Sequence, residues 1–148
     1  MIESNKPLVV VGVDGSEHAS IALERALGEA RLRGADLHVV YVSDVTPAIL
    51  YLAEAVTLDT TAIAEAQREA VWKAVGPMLD ASDQPVKRVD LEGYPADQLV
   101  DYCNETGADL LVVGTRGRGR IASTFLGSTS SRALDHANCD VLVAKPRS

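Results

Sequence analysis

The chain has 148 residues, a length that fits one domain and buries enough surface to fold without a disulfide or a metal ion. Its composition, 47% hydrophobic and 24% charged, excludes an intrinsically disordered chain. The net charge of −7 argues against DNA or RNA as the principal partner, because neutralising phosphates supplies most non-specific affinity for nucleic acids.

The first predicted strand, residues 8–13, is a continuous apolar run of the kind found in sheets that are covered on both faces. It stops at an Asp-Gly-Ser turn signal, where Ser16 or Asp14 can cap a helix predicted over residues 17–33. A second apolar strand is predicted over residues 36–42.

Residues 43–59 have no clear pattern and are predicted to be a loop or a short helix. A long helix follows over residues 60–79, in which the pair Gly76 and Pro77 predicts a kink or an early end. The third strand, residues 86–91, alternates apolar and polar residues, which is typical of an edge strand with one wet face.

The second half of the chain continues the alternation. We predict a helix over residues 95–106, a strand over 109–114, a helix over 129–137 and a strand over 140–145. Since no linker, repeat or change of composition interrupts them, we treat residues 1–148 as a single domain.

Strands that alternate with helices pair in parallel, and right-handed crossovers leave few topologies. We expect an α/β fold with one doubly wound, five-stranded parallel sheet of order 3-2-1-4-5 and helices on both faces, because the third strand reads as an edge. In this order the first and fourth strands are neighbours at the switch point, where a crevice opens beyond their carboxyl ends and ligands bind.

The connection after the fourth strand is unusually long, which in compact domains indicates function or disorder. It interleaves glycines and arginines: Gly114, Arg116, Gly117, Arg118, Gly119 and Arg120. Small residues then begin the next helix: Gly127, Ser128, Thr129, Ser130 and Ser131. Glycines let backbone N–H groups turn towards an anion, and a helix N-terminus with hydroxyls binds anions as well. The sequence therefore predicts a phosphate cradle.

The predicted topology delivers further residues to the same crevice: Gly12, Val13 and Asp14 from the first strand, and Gly114, Thr115, Arg116 and Gly117 from the fourth. Asp14 could accept hydrogen bonds from a ribose or hold a divalent cation against phosphates. Val42, on the rim, could offer backbone groups to a base edge. Phosphates, sugar and base together describe a nucleotide.

At these residues the chain resembles the universal stress protein family. The nucleotide motif of that family is Gly, two residues, Gly, nine residues, Gly, then Ser or Thr, and Gly114, Gly117, Gly127 and Ser128 match every position. The stretch VGVDGS, which contains Asp14, is similar to the first-strand signature of the family. The likeness extends over the full chain.

The resemblance implies an adenine nucleotide alpha hydrolase-like fold that binds ATP, with Mg or Mn bridging its phosphates through Asp14 in some members, and AMP or cyclic AMP preferred in others. It implies that Asp14 and Val42 hold ribose and adenine. It implies that the phosphates are held by Gly114, Arg116, Gly117, Gly127, Ser128 and Thr129. Gly12, Val13, Thr115, Arg118 and Ser130 complete the predicted site.

The last strand is predicted to form a homodimer, which the resemblance also implies. Its apolar residues Val141, Leu142 and Val143 would lie at a sheet edge, which soluble proteins usually cover or pair. Antiparallel pairing with a second copy of the chain meets that need.

Membrane insertion and secretion are disfavoured. No apolar run approaches the roughly 20 residues that span a bilayer, and residues 1–7 lack a signal-peptide core. Cys103 and Cys139 have no metal-binding spacing and suggest reduced thiols. Cys103 falls on an apolar helix face, which favours a core residue over a redox sensor. We expect a cytoplasmic protein without a membrane partner.

Two other functions remain open. A slow ATPase would need a metal on Asp14, but the chain has no Walker lysine and no evident base, so we expect no enzyme. His18, His38 and His136 are scattered and are interpreted as structural or surface residues. A protein-interaction module with a structural nucleotide is the second alternative. Asp14 could be only a turn residue, and the arginine-rich stretch only a solvated loop or a patch for acidic partners.

The expected function is an ATP-binding regulator or switch of the stress response, with an unknown protein partner.

Overall fold

A computed structural model of the chain describes residues 6–44, 51–52, 54–56, 59–116 and 127–147. The strands are β1 (Leu8–Val13), β2 (Asp36–Ser43), β3 (Val86–Glu92), β4 (Leu110–Gly114) and β5 (Asp140–Ala144). The helices are α1 (Glu17–Arg33), α2 (Thr60–Asp80), α3 (Pro95–Thr106) and α4 (Ser128–His136). No helix within these ranges is long and apolar enough to cross a membrane.

The five strands form one sheet of order β3-β2-β1-β4-β5, and every neighbouring pair is parallel. This confirms the predicted doubly wound topology and the edge position of β3. The sheet is covered on both faces. Val9 and Val11 belong to one apolar cluster with residues of α1 and α2, and Val10 belongs to a second cluster with residues of α3 and α4. The continuous apolar run of β1 is therefore explained by burial on both faces.

Helix α2 differs from its prediction at the carboxyl end. It does not end at Gly76 but continues through Pro77 to Asp80. A proline in the last turn removes only one backbone hydrogen bond, and the turn is still closed by the Ala81 N–H, which donates to the Pro77 carbonyl at 3.1 Å. Of the two alternatives predicted at Gly76 and Pro77, the early end is therefore wrong, and the kink stays a prediction.

Other boundaries shift by one residue at most. Strands β2 and β3 each extend one residue further, and α4 begins and ends one residue earlier than predicted. In the connection predicted as loop or short helix, residues 51–52 and 54–55 are helical.

Candidate functional site

A crevice opens where β1 and β4 stop pairing. Their register ends with Val11 opposite Val112, although β1 continues to Val13 and β4 to Gly114. The two central strands therefore separate over their last two residues. This is the switch point of the sheet, where open α/β folds bind ligands.

Strand β2 forms the rim of this crevice. The last residue of β1, Val13, pairs with Tyr41, so Val42 and Ser43 extend beyond the end of β1. The Val42 side chain is buried in the cluster beneath α3. The part of Val42 that can meet a ligand is therefore its backbone.

Asp14 forms a turn at the entrance to α1. Its Oδ1 accepts a hydrogen bond from the Ser16 N–H at 2.9 Å, and the Ser16 hydroxyl accepts one from the Ala19 N–H at 3.2 Å. Ser16 is therefore the residue that caps α1. A carboxylate has room for about four hydrogen bonds, so its turn role is compatible with binding a ligand.

The end of β4 packs directly against the first turn of α1. A Cβ atom on Gly114 would lie 2.7 Å from the His18 carbonyl oxygen and 3.0 Å from its Cβ. Because the nearest atom belongs to the backbone, any larger residue at position 114 would force the strand or the helix to shift, so packing alone favours glycine here. The sequence interpretation assigned it only to the phosphate cradle. Gly12 differs from Gly114, because its Cβ would lie 2.7 Å from Leu99 Cδ1, the end of a side chain and not a backbone atom.

His18 is a residue of this region that sequence reasoning missed. Its Nδ1 lies 3.0 Å from Thr115 Oγ1, in a hydrogen bond whose donor depends on the imidazole tautomer. Thr115 is buried. His18 therefore fixes the first residue after β4. Its place in the first turn of α1, the helix that leaves the switch point, is the sequence signal that could have found it.

The far end of the glycine-rich segment returns to the end of β4. The Gly127 N–H donates to the Thr115 carbonyl at 2.7 Å, and the Ser130 hydroxyl donates to the Gly114 carbonyl at 2.6 Å. Ser130 is only 1% exposed. Because its hydroxyl hydrogen is used in this bond, Ser130 can offer a ligand only its backbone N–H.

Helix α4 begins beside this contact. Its N-cap is Gly127, which has no side chain to occupy the first N–H groups of the helix. The Gly127 backbone is extended, with φ −72° and ψ 171°, a conformation open to any residue. Ser128 is exposed and Thr129 half-buried. The unpaired N–H groups and the helix dipole make such an end favourable for an anion.

The structure thus brings together most of the predicted site. Hydrogen bonds join Gly114 and Thr115 to Ser130 and Gly127, and Ser128 and Thr129 lie in the first turn of α4. Gly12 and Val13 end β1, the strand that pairs with β4, and Asp14 directly follows them. Arg116 follows Thr115 and is half-buried. Gly117 and Arg118 lie outside the described residues, and their predicted roles stay predictions.

A separate cavity of about 500 Å³ lies at the carboxyl ends of β2 and β3, and the sequence did not predict it. Its lining includes Ser43, Asp44, Thr60, Thr61, Arg68, Glu92 and Tyr94. It is not the gap between β1 and β4, but Ser43 and Asp44 directly follow Val42 on the rim of that gap. The Gly93 N–H donates to the Ser43 carbonyl at 3.0 Å and ties the two strand ends together.

Among the described residues, no group of three His, Cys, Asp or Glu side chains could hold a metal ion by itself. A cation at Asp14 would therefore need a bound ligand, such as a phosphate chain, to supply most of its other oxygens.

Sequence comparison relates the chain to known proteins. The model of the universal stress protein family matches residues 8–145. A universal stress protein of Methanocaldococcus jannaschii is 30% identical over 137 residues, which cover 93% of this chain and 81% of that protein.

Structural comparison agrees. The universal stress protein UspA of Lactobacillus plantarum gives a TM-score of 0.74 at 27% identity, covering 96% of this chain and 99% of that one. A universal stress protein solved in complex with cAMP gives a TM-score of 0.59 at 30% identity, covering 93% of this chain and 95% of that one. The chain belongs to the universal stress protein family.

Proposed function

We propose that this protein binds an adenine nucleotide, ATP foremost, in the crevice between β1 and β4, and that it acts as a regulator of the stress response. The observation that carries the proposal is the return of Gly127 and Ser130 to the carboxyl end of β4, which sets the N-terminus of α4 beside the gap at the switch point. The related protein solved in complex with cAMP supports an adenine nucleotide as the class of ligand.

The phosphates would lie against the N–H groups of α4 and the backbone of residues 114–117. Both elements favour negative charge, the helix through its dipole and the loop through its glycines and arginines. Asp14 would accept hydrogen bonds from the ribose or hold Mg or Mn, whose positive charge would offset the negative charge of the phosphates. The backbone of Val42 would meet the base.

We propose binding without efficient turnover. Around the crevice, the imidazole of His18 is engaged with Thr115, and the Ser130 hydroxyl with Gly114, so both are occupied in positioning the backbone. The nucleotide-bound and nucleotide-free forms would then expose different surfaces to a protein partner.

Calorimetric titration with ATP, AMP and cyclic AMP tests the binding, with GTP as a control for base recognition and Mg present or absent. We expect ATP to bind in the presence of Mg, and Asp14→Asn to weaken that binding by about tenfold, since a neutral acceptor replaces a charged one. Asparagine keeps an oxygen for the Ser16 N–H, so the melting temperature should change little.

The outcome against the proposal is a native protein that shows neither heat of binding nor thermal stabilisation with any of the three adenine nucleotides. Phosphate release should be followed in the same samples, because rapid turnover with Mg or Mn would favour the ATPase instead.

We further propose a homodimer through β5. In the described sheet β5 pairs only with β4, and Val141, Leu142 and Val143 stay partly exposed although all three are apolar. An apolar edge of this kind is a template for another strand. A second copy pairing antiparallel across a two-fold axis would cover it.

Light scattering on a sizing column tests the dimer. Leu142→Lys, at the centre of β5, should give the mass of a single chain, because a buried lysine at the interface is costly. Leu32→Lys makes the same change at the carboxyl end of α1, where the side chain is 84% exposed, and should leave a dimer. Equal masses for both variants would contradict pairing through β5.

A further inference from the structure

The two cysteines lie at one junction of the fold. Cys103 is in the last turns of α3, and Cys139 immediately precedes β5. Asn104 holds the junction closed. Its Oδ1 accepts a hydrogen bond from the Asn138 N–H at 3.0 Å, and its Nδ2 donates to the His136 carbonyl at 3.4 Å. The residue after Cys103 is thus tied to the residue before Cys139.

The two cysteine side chains pack in the same apolar cluster. Cys103 is buried in the apolar cluster beneath α3, and Cys139 packs against the same cluster but is only half-buried. The two thiols are close enough for each to shift the pKa of the other. The proposed disulfide would bring the two sulfur atoms to about 2.05 Å from each other.

We propose that Cys103 and Cys139 form a site of reversible oxidation, in which a hydroperoxide converts the two thiols into an intramolecular disulfide. With hydrogen peroxide, the Cys139 thiolate attacks one peroxide oxygen and the O–O bond breaks. The hydroxide that leaves takes up the proton that the thiol released, so a sulfenic acid and one water form. Cys103 Sγ then attacks Cys139 Sγ and releases a second water. Two thiols are oxidised by two electrons and one hydrogen peroxide is reduced to two waters.

The order of attack follows from accessibility. Burial raises the pKa of Cys103 to about 12 and also raises the pKa of the less buried Cys139. Since the thiolate is the nucleophile, Cys139 reacts first and the reaction is slow at neutral pH. The disulfide therefore forms under sustained exposure to oxidant, and the rate of its formation increases as the pH rises.

The disulfide would close the chain from residue 103 to residue 139. That segment contains β4 and α4, whose adjoining ends border the candidate crevice. A crosslink across a long loop stabilises the folded protein mainly by restricting the unfolded chain. This inference stands apart from nucleotide binding and is tested without any nucleotide.

Treatment of the full chain with hydrogen peroxide, followed by mass spectrometry, tests the proposal. We expect a loss of two hydrogens, a linked peptide joining residues 103 and 139, a raised melting temperature, and full reversal by a thiol reductant. The rate should increase between pH 7 and about 9, as the thiolate fraction rises.

Cys103→Ala should instead leave a sulfenic acid on Cys139 that a dimedone probe labels, and Cys139→Ser should show neither crosslink nor label. Cys103→Ala truncates a buried side chain, whereas Cys139→Ser changes a half-buried one. If the first variant fails to fold, the second still tests the crosslink. Oxygen addition without a linked peptide in the native chain, or crosslinks only between chains, would overturn the proposal.

Discussion

Gly114→Ala is expected to lower the free energy of unfolding by about 1–3 kcal/mol, the usual cost of overpacking. The added Cβ would lie 2.7 Å from the His18 carbonyl oxygen, a backbone atom held in the first turn of α1. Neither the strand nor the helix can yield without disturbing the sheet centre, where β1 and β4 pair. Urea denaturation, monitored by circular dichroism, measures the loss.

Gly28→Ala is the matched control. Gly28 lies inside α1, and a Cβ added there would meet nothing within 4 Å. Alanine in a helix interior is more stable than glycine by about 0.5–1 kcal/mol, so this variant should be more stable than the native protein. If both variants proved equally stable, the close approach of β4 to α1 would be wrong.

At Gly114, the effect of a substitution on packing must be distinguished from its effect on ligand binding. Gly114 stands in the motif that resembles a phosphate cradle, yet its missing side chain is already required by His18. Loss of ATP binding in Gly114→Ala would therefore not identify a phosphate contact by itself. Changes at Asp14 or Ser130 add no atom at the end of β4, so they test nucleotide binding without this steric conflict.

The sheet was predictable because its signals are local. Apolar runs, glycine at helix ends and the amphipathic pattern of β3 each depend on a few neighbouring residues, and the handedness of crossovers then fixes their order. The crevice followed from that order alone. The early end predicted for α2 was wrong because proline breaks a helix in its interior, whereas Pro77 lies in the last turn.

The contacts inside the site were not predictable, because they join residues that are remote in sequence. His18 and Thr115 are 97 positions apart. The predicted topology brings the start of α1 and the end of β4 to the same region, but it does not specify that these two side chains form a hydrogen bond. Ser130 was read as a ligand for phosphate, whereas its hydroxyl donates to the Gly114 carbonyl. Which side chains meet depends on how the helices and strands pack against one another. That packing is a property of the whole fold and cannot be inferred from a local sequence pattern.

Ser130→Ala is expected to cost about 1–3 kcal/mol of stability, because it leaves the Gly114 carbonyl without its side-chain donor in a buried place. It should also weaken ATP binding by about tenfold, or ~1.4 kcal/mol. The reason is positional. The hydroxyl holds the first turn of α4 against the end of β4, so its loss lets the N–H groups proposed to bind phosphates drift from the crevice.

Ser131→Ala is the control for this change. It removes the same hydroxyl from the next residue of α4, where the side chain is exposed, and should leave both stability and affinity within about 0.5 kcal/mol of the native protein. Thermal denaturation and calorimetric titration of the two variants measure both effects. A Ser130→Ala variant that is destabilised but binds ATP with native affinity would show that this contact supports the fold and does not position the nucleotide.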